Sequence, residues 1–102
     1  MTPDNENLDH LVLFAVADDY EKFEMIASDI TKRMSLIVNI PDIDKIEYAL
    51  LKAIANKDVN AYEYSEITHQ YISADIDSHQ ISTFWFYITD QGKKRLELLD
   101  TR

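Results

Sequence analysis

Cysteine is missing from the chain, glycine occurs once, at Gly92, and proline twice, at Pro3 and Pro41. The first absence excludes disulfides, thiolate metal sites and a cysteine nucleophile. The scarcity of chain breakers excludes a linker or low-complexity segment. No apolar run approaches the ~20 residues that a membrane-spanning helix needs; the longest, 11–17 and 84–88, are far shorter. Segment 1–7 is polar and acidic, without the basic start and apolar stretch of a secretory signal. The expectation is a cytoplasmic protein with no membrane association.

Basic residues are also scarce, 10 against 19 acidic ones, for a net charge of −9. The imbalance is local. Residues 1–31 hold eight acids (Asp4, Glu6, Asp9, Asp18, Asp19, Glu21, Glu24, Asp29) and one base, Lys22, so they carry −7 and the remainder only −2. Such a field repels nucleic acid and anionic membranes at long range and favours a basic partner. What is abundant is apolar: 46% of the 102 residues are hydrophobic and 11% aromatic, enough to fold one domain over 1–102, with 1–7 expected as a flexible tail.

Periodicity organises the chain. Leu8, Leu11, Val12 and Ala15 predict a buried helix over 8–17. Phe23, Ile26, Ala27, Ile30 and Met34 share one stripe of a second helical region, 20–38, whose end at 36–40 is β-branched and could be extended. Pro41 stops that region, and Asp42 caps a third helix over 43–57 with Ile43, Ile46, Ala49, Leu50, Ala53 and Ile54 inside. Residues 61–72 predict a strand, with a helical alternative for 65–72; 74–78 read as a loop tip, and 81–89 as the clearest strand. Thr89 can cap a last helix over 90–100 with Leu96 and Leu99 inward. The expected fold is α+β, three helices, a two-stranded wing and a C-terminal helix, which is the winged helix-turn-helix order.

Two segments carry a family resemblance. One is Tyr48, Leu51 and Ile54 in the third helix; the other runs Tyr87, Ile88, Thr89, then Gly92, Lys93, Lys94, Arg95 and Leu96. They resemble the recognition helix and the Tyr-x-Leu-Thr-x-x-Gly-basic wing closure of PadR-type and related small winged-helix regulators. Thr89 would cap the helix, and Gly92 would let its first turn pack closely on a neighbour. The chain departs from the family at Asp58, where a glycine is usual, in a wing of about thirty residues, and in charge. The resemblance implies a DNA-binding transcription regulator, homodimeric, reading DNA through helix 43–57 and touching phosphates with the wing. The nucleic-acid-binding residues would be Lys45, Tyr48, Lys52, Lys93, Lys94 and Arg95. Affinity scales with the phosphates neutralised, about six to ten in a true binder, so nearly every base would have to lie on one face. Asp42, Asp44 and Glu47 oppose Lys45 at the entry of the same helix.

The alternative is an acidic winged-helix interaction module (adaptor, antirepressor or DNA mimic) that docks a basic protein partner through Asp18, Asp19, Glu21 and Trp85 and binds no DNA. Phe84, Trp85, Phe86 and Tyr87 cannot all point to one side of a strand. A second buried face is therefore expected, supplied by the N-terminal helices or by another copy of the chain. His10, His69 and His79 fit no ligand motif, Asp75 and Asp77 beside His79 read equally as a weak cation site and a polar loop tip, and no catalytic motif occurs. No metal, no cofactor and no enzymatic activity are expected.

Overall fold

The stripe Phe23, Ile26, Ala27, Ile30 and Met34 is buried along the whole of one helix face, as its spacing predicts. The computed structural model describes the backbone of residues 3–34, 42–76 and 78–100 and the side chains of 8–34, 42–76 and 81–99. Its described residues form four α-helices, α1 (Pro3–Ala15), α2 (Phe23–Met34), α3 (Ile43–Ala55) and α4 (Asp90–Asp100), and four strands, β1 (Glu21–Lys22), β2 (Val59–Ser65), β3 (Gln70–Ala74) and β4 (Trp85–Ile88). The sheet is antiparallel in the order β1-β4-β2-β3. A 3-10 helix, Ser78–Thr83, precedes β4.

One core joins the two layers. Val59, Ala61, Phe86 and Ile88 line the inner sheet face and meet Leu8, Val12, Leu13 and Val16 of the α1 region, the α2 stripe, and Ile46, Ala49, Leu50 and Ala53 of α3. Leu96 and Leu99 of α4 pack against this core from one side. The peptide N–H of Ile88 donates to the Val16 carbonyl at 3.1 Å and ties the end of α1 to β4.

Several expectations need correction. Residues 3–7, assigned to a flexible tail, are helical and belong to α1. The region 20–38 opens with a short strand, because Glu21 and Lys22 pair with Phe86 and Trp85 before α2 begins. Its end at 36–40 and the stop at Pro41 lie outside the described residues. Residues 61–72 are two strands, and the helical alternative for 65–72 is not adopted. Ser65 pairs with Gln70 across a turn in which Ser65 Oγ accepts the Thr68 N–H and His69 takes the left-handed conformation at φ 56°. That turn lacks glycine, proline and asparagine, so nothing signalled it. The clearest strand shrinks to β4, since 81–83 are 3-10 helix. The predicted two-stranded wing is thus part of a sheet of four, and the long segment after Val59 holds β3 and the 3-10 helix. Ile43, placed inside, is exposed.

α3 ends in a Schellman motif. The Asp58 N–H donates to the Ala53 carbonyl at 2.9 Å, the Lys57 N–H to Ile54 at 3.0 Å, and Lys57 takes φ 66°. The left-handed residue that closes the motif is Lys57, so Asp58 itself needs no positive φ. Asp42 occupies the N-cap as predicted, but its side chain makes no cap hydrogen bond.

Candidate functional site

The predicted basic face divides at the junction of α1, α3 and α4. Lys52 Nζ lies 2.9 Å from Asp9 Oδ2, and Arg95 Nε lies 2.7 Å from Asp58 Oδ2. Lys52, Arg95, Asp9 and Asp58 line one narrow hollow between the helices, so both cations sit beside carboxylates of the same chain. Asp58 is buried, with its second oxygen accepting from Gln91 Nε2 at 2.9 Å. Gln91 also donates to the Asn56 carbonyl, Thr89 Oγ1 to the Lys57 carbonyl at 2.7 Å, and the Thr89 N–H to the Asp58 carbonyl at 2.9 Å. Thr89 Oγ1 then accepts the Gly92 N–H at 2.9 Å, the predicted cap of α4. A Cβ on Gly92 would overlap the Asp58 carbonyl and lie 2.7 Å from Ile88 Cγ1, so the close packing expected there is real and its neighbour is the end of α3. Arg95 therefore closes a joint within the fold, which no motif announced; the excess of polar residues around Gly92 was the available signal.

The other nucleic-acid candidates remain at the surface. Lys45 and Tyr48 are exposed on α3, and with Leu8, Asp9, Asp44, Ala49 and Lys52 they line a hollow of about 220 Å³. Tyr48 is 68% exposed and Ile43 61%, so the front of α3 offers apolar surface between Asp42 and Asp44. Lys93 and Lys94 are exposed on α4, with Lys93 Nζ 5.6 Å from the Tyr87 ring centre.

The partner-binding candidates separate onto two faces. Asp18 and Glu21 meet beside α2, where Phe14, Ala15, Met25, Asp29 and Arg33 complete a hollow of about 190 Å³. Arg33 Nε pairs with Asp29 at 3.0 Å and its guanidinium covers the Phe14 ring at 4.3 Å. Asp19 turns back to accept the Tyr20 N–H at 2.7 Å. The Glu21 carboxyl is pushed above its ordinary range, first by burial and then by Asp19 and Asp29. Trp85 lies on the opposite, outer face of the sheet, paired with Lys22 and Tyr62.

That outer face carries an aromatic cluster. Phe84 and Phe86 are buried, while Trp85 and Tyr87 are half-buried on the other side. Of the two covers expected, the N-terminal helices pack on the inner face, and within the chain tyrosine rings lie over the outer one. Tyr20 stacks on Tyr71 at 3.8 Å and on Tyr87 at 4.9 Å and meets Tyr62 edge-on, while Tyr71 meets Trp85 edge-on at 5.5 Å. Lys22 Nζ sits 5.2 Å from the Trp85 ring centre. Burial raises the Tyr20 hydroxyl pKa, with Tyr62, Tyr87, Tyr71 and Asp19 adding to the shift.

Among the described residues, no group of three histidine or acidic side chains could hold a metal ion, and no helix is long and apolar enough to cross a membrane. The Asp77 and His79 side chains lie outside the described residues. No protein-family model, curated protein or solved structure matches the chain.

Proposed function

We propose that this chain is an acidic protein–protein interaction module on a winged-helix scaffold, and that it docks a basic partner instead of binding DNA. The scaffold reading is supported by the position of β1 between α1 and α2 and by its pairing with β4, which also pairs with the strand that follows α3. The observation that carries the functional reading is the neutralisation of Lys52 by Asp9 and of Arg95 by Asp58. Of the cations a DNA reader would use, Lys45, Lys93 and Lys94 make no such bridge among the described residues, and three are fewer than the phosphate contacts a binder needs. The front of α3 turns Asp42, Ile43, Asp44 and Tyr48 to solvent, an acidic surface with apolar anchors. The face at Asp18 and Glu21 adds a second acidic surface.

Fluorescence anisotropy with random duplex DNA and with a lysine-rich peptide, both at low salt, tests the reading. The expected result is no DNA binding and salt-sensitive peptide binding, weakened by charge reversal at Asp42, Asp44 and Glu47 or at Asp18 and Glu21. DNA binding that falls steeply with salt overturns the proposal and restores a regulator that reads DNA through α3.

A further inference from the structure

The sheet ends on two unlike edges. β1 is two residues long, and both, Glu21 and Lys22, are charged. Short length and charge are the usual devices that keep an edge from pairing with another chain. β3, at the other edge, has neither. It runs for five residues, Gln70–Ala74, and the stretch 67–74 contains no Asp, Glu, Lys, Arg or Pro in a chain that is 28% charged. Its register with β2 is unbroken from Ser65↔Gln70 to Ala61↔Ala74, so no bulge twists the edge away. Ile72 is 53% exposed and Ile67 93%. Among the described residues, the outward edge of β3 meets no other strand, and the side chains of β3 itself are neutral, the nearest charge on its sheet face being Glu63 of β2, opposite Ile72.

We infer that β3 is a homodimerisation edge, where two copies pair antiparallel about a two-fold axis at Ile72 and make one continuous sheet. A second copy fits this edge for three reasons. An extended strand is what an open edge demands, and antiparallel pairing of identical strands closes on itself at two chains. Copies that each carry −9 repel one another, and the charge-free edge lets them meet with the least repulsion. About Ile72, Gln70 faces Ala74 and Tyr71 faces Ser73, so the flanking Asp75 falls opposite His69 and away from the other copy's Asp75. Tyr71 belongs to the aromatic outer face, which the pairing extends from one copy into the next. The inference is independent of which partner the acidic surfaces take.

Sedimentation velocity over a range of protein concentrations reads the dimer directly. Ile72→Lys places two like charges face to face at the axis and is expected to weaken self-association on the order of a hundredfold. Its exposed position leaves the circular dichroism spectrum unchanged. Because the chain has no cysteine, Ile72→Cys supplies a second readout: mild oxidation gives a disulfide-linked dimer, whereas Met25→Cys on α2 does not. A wild-type protein that stays monomeric at the highest concentration overturns the inference. So does an Ile72→Lys variant that dimerises like the wild type, or an Ile72→Cys variant that links no better than Met25→Cys.

Discussion

The joint between α3 and α4 and the outer face of the sheet are built by opposite means. At the joint, one carboxylate is removed from water and is matched: buried Asp58 meets Gln91 and Arg95, while Thr89 serves both as donor to Lys57 and as acceptor for Gly92. On the sheet, large rings share a half-exposed surface and satisfy one another by stacking and edge contacts. The joint tolerates no change of shape, because backbone approaches backbone. The ring face tolerates change, because each ring has several neighbours and water nearby. Specific geometry holds the joint, and added area holds the sheet face.

Gly92→Ala is the sharpest test of this contrast. Its new Cβ meets the backbone of Asp58 with no flexible side chain to yield, so the expected loss is about 3 kcal/mol, the upper part of the range for overpacking. Chemical denaturation measures it, and a loss below that of a ring deletion on the sheet would break the comparison. Asp58→Ala comes next, at about 2 kcal/mol, because it removes charged hydrogen bonds from a buried site while Arg95, about half exposed, can turn to water. Tyr20→Ala is expected to cost about 1 kcal/mol through its lost ring contacts, with the helical circular dichroism unchanged.

The smallest effect concerns a carboxyl of a third kind. Glu21 is partly buried and crowded by Asp19 and Asp29, and its folded pKa is raised. Between the ordinary value of 4.5 and that raised value, the native state holds a proton that the unfolded chain has released. Stability must therefore fall as pH rises through this window, and the penalty is complete above it. Glu21→Gln removes that part of the slope. An unchanged pH profile of the melting temperature would show that the crowding is relieved in solution.

Much of this was legible in residue spacing. The stripe of α2 and the inward Leu96 and Leu99 of α4 follow from period, because burying one helix face is a local demand that any packing partner satisfies. Thr89 and Gly92 were legible because a cap and a close approach each require a particular residue. The turn at Ser65–His69 was not, since its left-handed residue is a histidine and its stabilising hydroxyl is one serine among many. β1 was hidden for a different reason: a charged pair such as Glu21 and Lys22 becomes a strand only because β4 lies beside it.

The candidate site divides the same way. Composition by itself determined an acidic chain with no disulfide chemistry, an acidic N-terminal third, and too few bases to neutralise a duplex unless they converged. Tertiary structure decided which of them are paired, because Asp9 and Asp58, distant from their partners in sequence, hold Lys52 and Arg95. Charge is counted along the chain, but pairing is a property of distance in space. Only the fold could set which cations face water and which are held beside a carboxylate.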